Sequence, residues 1–179
     1  MQLKIMPKLS CLSKQMLQTV QNVLIKIDKN ISINNLKMSE LNDELYARIQ
    51  ELCSKGDQLA ESEKYSNALS EYYKAYELLP SPKENWDAST WILAAIGDVN
   101  FLMKDYEAAL QNLINAMKCP DAIGNPFIHL RLGQCHFELG NFNLAADEFV
   151  RAYAIEGEEL FQNEDIKYFK FLITKINLH

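Results

Sequence analysis

The chain is poor in the residues that interrupt helices. It has six Gly and five Pro in 179 residues, which excludes collagen-like and linker-like designs. It has no run of about 18 apolar residues, so no stretch is long enough to be expected to span a membrane. Near the amino end, Lys14, Gln15 and Gln18 break the apolar stretch. A secretory signal needs an unbroken apolar core of about 7–15 residues, so a cytoplasmic chain is expected. Cysteine is scarce too. Cys11, Cys53, Cys119 and Cys135 form no Cys-x-x-Cys pair, which points to reduced thiols, with Cys53 and Cys135 acting as small hydrophobes inside helices. There is no Gly-x-Ser-x-Gly, no Gly-rich phosphate loop and no His-Glu-x-x-His, so nothing marks a nucleophile or a phosphate cradle. His129, Cys135 and His136 are the nearest approach to a metal cluster, but Cys135 points about 100° away from His136 on a helix. Zinc needs three or four converging ligands. No cofactor and no metal are therefore expected, and the acid pairs Glu158–Glu159 and Glu164–Asp165 read as solvated charges at helix starts.

Charge is lopsided. Residues 1–37 carry six Lys and one Asp, a net +5, and residues 38–179 carry 12 basic and 23 acidic side chains, a net −11; the two sum to the −6 of the whole chain. An acidic body repels nucleic acid, which is bound through Lys and Arg on phosphates. It attracts a basic partner and speeds the encounter.

What the sequence does have is internal repetition. Gly56, Tyr65, Ala68 and Ala75 recur at the same spacing as Gly97, Tyr106, Ala109 and Ala116, and again as Gly133, Phe142, Ala145 and Ala152. Small residues at fixed offsets mark places where helices pass closely, and the aromatic plugs the turn between them. The spacing predicts three helical hairpins: 40–62 with 66–79, 88–103 with 107–118, and 126–139 with 143–155. Ser39 is expected to cap the first helix, whose face carries Leu41, Leu45, Ile49, Leu52 and Cys53, and Asn125 with Pro126 to open the fifth. Pro80 and Pro82 stop the second helix, and Ser81–Asp87 is an insertion relative to the third repeat. Glu158–Phe161 reads as a short turn. Before the repeats, residues 10–29 read as a basic amphipathic helix carrying Met16, Val20, Val23, Leu24 and Ile27. After them, Asn163 is expected to cap a last helix at about 163–177 that closes the stack through Tyr168, Phe169, Leu172, Ile173 and Ile176.

These offsets resemble those of the tetratricopeptide repeat, a helix-turn-helix unit of about 34 residues. Leu52, Gly56, Leu59, Tyr65, Ala68, Tyr72, Ala75 and Pro80 follow that pattern in the first unit. Pro120 of the second unit is out of step, and the third lacks a closing Pro. The resemblance implies an all-α, right-handed helical-hairpin solenoid: a segment 1–37, then a domain 38–179 with repeats at about 49–82, 90–123 and 126–159. Such folds bind partners far more often than they catalyse. A narrower resemblance rests on Ile96-Gly97-Asp98, on Gly124 to Gln134, on Arg151-Ala152-Tyr153, on Gly157 to Phe161 and on Lys167 to Leu172. These stretches look like small bacterial repeat proteins encoded beside polymorphic toxins of the Rhs or contact-dependent inhibition type. That resemblance implies an immunity protein, with the carboxy-terminal domain of a toxin as its partner.

In such a stack the first helix of each hairpin lines the concave groove. Placed by the Gly positions, the groove residues are Gln50, Cys53, Asp57 and Glu61 in the first unit. Trp91, Ala94, Asp98 and Phe101 follow in the second, and Phe127, Leu130, Gln134 and Glu138 in the third. Of these, Asp57, Glu61, Trp91, Asp98, Phe101, Phe127, Gln134 and Glu138 are the candidate partner-binding residues, an aromatic floor with carboxylates. The competing reading packs Trp91, Phe101 and Phe127 against the cap. Groove carboxylates disfavour a clamp for a terminal carboxylate of the kind that holds chaperone tails. An extended segment of an exported protein, held by a secretion chaperone or scaffold, is the alternative partner.

Overall fold

The computed structural model describes residues 41–176, so the expected helix at 10–29 and the Ser39 cap lie outside it. Among the described residues seven α-helices follow one another: α1 (Asp43–Glu61), α2 (Tyr65–Glu77), α3 (Asp87–Leu102), α4 (Tyr106–Ala116), α5 (Pro126–Glu138), α6 (Phe142–Glu156) and α7 (Ile166–Ile173). Each of the first six packs most extensively on its hairpin partner, and between hairpins α2 packs on α3 and α4 on α5. The architecture is an all-α solenoid of three hairpins followed by a short helix.

The recurring glycines set how closely the helices pack. A Cβ added at Gly56 would meet the Tyr72 ring at 2.5 Å, at Gly97 the Leu113 side chain at 2.7 Å, and at Gly133 the Phe149 ring at 2.6 Å. In every repeat the glycine faces the residue sixteen positions on, so the first helix presents bare backbone to a large side chain of the second. Ala68, Ala109 and Ala145 are wholly buried at the same interface. The hairpin turns repeat as well. Glu63, Lys104 and Gly140 all have positive φ, at 58°, 63° and 77°, seven residues after each repeat glycine. Only the third turn uses the residue that tolerates this backbone without cost.

Four of the described helix starts are fixed by side chains. Asn42 caps α1 by accepting from the amide of Glu44 at 2.8 Å, a cap three residues later than the expected Ser39. Asp105 accepts from the amide of Ala108, and Asn125 accepts from those of Phe127 and Ile128 ahead of Pro126. The insertion after α2 forms a 3-10 turn, Lys83–Asn85, pinned where the Trp86 indole donates to the Pro80 carbonyl at 2.7 Å. Thr90 donates to the carbonyl of Pro120 at 2.6 Å, which ties α3 to the out-of-step proline of the next loop.

A 3-10 turn, Glu158–Phe161, leads to α7. Here two sequence expectations change. Asp165, not Asn163, caps the last helix, accepting from the Lys167 amide at 3.0 Å. Glu164 is not a solvated charge at the helix start but turns back into the groove to bond Arg131 and Gln134. The helix then buries Tyr168 and Leu172 against Phe149, Phe161 and Leu130.

Candidate functional site

Because each hairpin puts its first helix inward, α1, α3 and α5 line one face. The structure divides the eight candidate residues of that face into two groups.

The first group is open. Asp57, Trp91, Asp98 and Phe127 line one pocket of about 320 Å³, floored by Ala94 and Ala95. Trp91 is 36% exposed, so it does not pack against the cap. Asp57 accepts the Tyr72 hydroxyl at 2.6 Å. Burial, reinforced by that carboxylate, pushes the Tyr72 hydroxyl above its ordinary value, so it stays a donor at any physiological pH. Among the described residues no cation pairs with Asp57. Glu61 is exposed farther along α1 and does not line the pocket. Next to Asp57, burial pushes the Cys53 thiol up to about 12, with the Asp57 charge adding to it. This thiol is a packed hydrophobe, as is Cys135, which burial also raises to about 12.

The second group is closed, and its organiser is a residue absent from the candidate list. Arg131 is 8% exposed. Its Nε donates to Asp98 at 2.5 Å, and its Nη1 donates to Gln134 at 2.5 Å and to Glu164 at 3.0 Å. Its guanidinium carbon lies 4.7 Å from the centre of the Phe101 ring and 5.3 Å from that of Phe127. Burial alone would disfavour the charge; the carboxylates of Asp98 and Glu164 outweigh it and hold the guanidinium above its ordinary pKa. This network corrects the reading of Gln134 as a groove-facing side chain. Gln134 is 0% exposed, because Arg131 and Glu164 close over it, and its amide donates to Glu164 at 2.8 Å.

Glu138 is covered in the same way. It accepts the Tyr168 hydroxyl at 2.7 Å and pairs with Lys167 at 2.7 Å. Burial would raise its carboxyl, but the bonds from Lys167 and Tyr168 prevail and hold it below the ordinary glutamate range. Phe101 packs on Tyr106 at 5.5 Å between centroids as well as on Arg131, and part of it joins the core around α7. Phe101 is thus partly buried, by Tyr106 and Arg131, while Trp91 stays exposed.

His129 is fully hydrogen-bonded, whereas the buried Nδ1 of His136 has no hydrogen-bond partner among the described residues. Both nitrogens of the buried His129 ring face acceptors, Glu148 at 2.6 Å and the Ile123 carbonyl at 2.8 Å. Burial lowers the His136 pKa, which keeps it neutral. Among the described residues no three His, Cys, Asp or Glu side chains converge as metal ligands, and no helix is long and apolar enough to cross a membrane.

Arg131 carried a signal that was legible. It lies four residues after Phe127 and three before Gln134, on the same helix face as both, in a helix otherwise nearly free of charge. Glu164 gave no such signal, since 33 residues separate it from Arg131.

No protein-family model matches the sequence, and no curated protein matches it. Solved structures do. The TPR domain of Arabidopsis OM64 superposes with a TM-score of 0.59 at 19% identity, over 74% of this chain and 99% of that one. PcrH from Pseudomonas aeruginosa superposes with a TM-score of 0.58 at 19% identity, over 76% and 95%. The first TPR of Spaghetti (RPAP3), bound to an HSP90 peptide, gives 0.56 at 16% identity, over 72% and 90%. At these identities what is shared is the backbone path, and the described residues therefore have the fold of a tetratricopeptide-repeat domain.

Proposed function

We propose that this chain is a non-enzymatic protein-binding module. In this reading it acts in the cytoplasm as an immunity protein, covering the active site or substrate surface of a cognate bacterial toxin domain. The carrying observation is the open pocket on the concave face. A half-exposed tryptophan stands there beside a carboxylate that has no cationic partner among the described residues. Exposed aromatics rimmed by charge are the usual anatomy of a binding hot spot. The net −11 of residues 38–179 favours a basic partner.

A second reading is favoured by one comparison. PcrH has been solved in complex with the chaperone binding region of PopB, and a secretion chaperone would use the same face to hold an extended segment. Co-expression with the products of flanking genes separates the two. The immunity reading expects this chain to suppress the lethality of a folded toxin domain and to co-purify with it. Rescue of the solubility of an exported protein, with no protection from any toxin, would replace it by the chaperone reading.

A further inference from the structure

The repeat register exposes a relation between the two groups of groove residues. Four positions of the Arg131 site can be counted from the repeat glycines. Asp98 follows Gly97 by one, Phe101 follows it by four, Arg131 precedes Gly133 by two and Phe127 precedes it by six. Moved back one repeat, those positions are Asp57, Ala60, Ala95 and Trp91. All four line the open pocket. The pocket is therefore a second copy of the Arg131 site. It keeps one carboxylate and one aromatic, has Ala60 in place of Phe101 and no counterpart of Glu164 among the described residues, and carries Ala95 where the later copy carries its arginine.

Its chemistry is that of an arginine receptor. Asp57 spends one oxygen on the Tyr72 hydroxyl, and Asp98 spends one on Arg131. Among the described residues the second oxygen of each takes no hydrogen bond. Trp91 offers the aromatic face that binds cations best. Ala94, Ala95 and Val99 supply an apolar wall for the methylene stem, which long cationic side chains bury while the charged head is held in place.

We propose that this pocket takes one arginine side chain of the partner protein, its guanidinium laid on Trp91 and hydrogen-bonded to Asp57. The proposal rests on the concave face being the partner surface and adds what it selects. Arginine is preferred to lysine because its planar guanidinium stacks on an aromatic face while its N–H fork still donates to a carboxylate oxygen.

The test uses the full chain, labelled for NMR, with the peptide acetyl-Gly-Ser-Arg-Ser-Gly-amide and its citrulline counterpart, which keeps the shape and loses the charge. The arginine peptide should shift the Trp91 indole and the Asp57 amide saturably, and bind about tenfold more tightly than the citrulline peptide. Asp57→Asn, which can still accept from Tyr72, should erase that preference. Ala95→Arg should rebuild the later site, raise the melting temperature and block the peptide. Equal binding of the two peptides, or no saturable binding of the arginine peptide, overturns the proposal. The two readings fail differently. A complex that survives Asp57→Asn and Ala95→Arg but is lost with Trp91→Ala keeps the concave face and removes the arginine. A complex that survives all three removes both.

Discussion

The two ends of the groove contrast at one position. The residue after the repeat glycine is Asp57 in the first hairpin, Asp98 in the second and Gln134 in the third. Asp57 is exposed, Asp98 is half-buried under Arg131, and Gln134 is sealed. One local register gives three environments because the stack is finite. At the carboxy-terminal end a 3-10 turn and α7 fold back and supply Glu164, Lys167 and Tyr168 to the groove, and nothing comparable covers Trp91. A solenoid has to cover its last hairpin. Here the cover is partly ionic, and it consumes the carboxylates it touches. What remains for a partner is the part of the groove that the cover does not reach.

The largest expected effect comes from removing the organiser of the closed end. Arg131→Ala strands Asp98, Gln134 and Glu164 together and should cost about 3 kcal/mol, the low end for breaking a buried pair because both carboxylates are partly solvated. Denaturant unfolding checks this, and a loss below about 1 kcal/mol would show that the network behaves as a surface pair. Next comes packing. Gly133→Ala pushes a methyl into the wholly buried Phe149 ring and should cost about 2 kcal/mol. Gly124→Ala meets nothing within 4 Å and should be neutral. Similar losses at the two sites would mean that the helix contact adapts freely.

A smaller effect, about 1.5 kcal/mol, the low end for one hydrogen bond to a charged group, is expected from Tyr168→Phe, which removes a donor from Glu138. The pH dependence sharpens it. The folded Glu138 carboxyl lies below its ordinary value of 4.5, so its contribution is fully present above that pH and is lost as the pH falls through the lowered value. The gap between wild type and Tyr168→Phe should close on acidification, read by thermal unfolding between neutral pH and pH about 3; a constant gap would assign the hydroxyl a packing role only. Smallest of all, Trp91→Ala at the open end should change stability by less than about 0.5 kcal/mol, as for other surface positions, while weakening the complex with the partner. A large loss of stability there would mean that Trp91 is a core residue and that the two ends do not differ as described.

The repeated offsets placed all six hairpin helices within a few residues, because Gly, Ala and the turn aromatic each act on their near neighbours. Asn125 with Pro126 marked the start of α5 for the same reason. The cap of the last helix was misplaced because Asn163 and Asp165 are both good caps, and what decides between them is where Glu164 must go. The candidate site was legible as a face but not as two ends. Asp57, Trp91, Asp98 and Phe127 meet in one pocket, while Gln134 and Glu138, equally well placed by register, lie under the cap.

The sequence by itself determined the hairpins, their register and the residues that point inward, since all of these follow from spacings short enough to act along one or two helices. Only the tertiary structure decided which inward residues stay open. That depends on Arg131 meeting Asp98 and Glu164 across 33 residues in each direction and on α7 covering Glu138, contacts set by chain return and desolvation rather than by any local pattern.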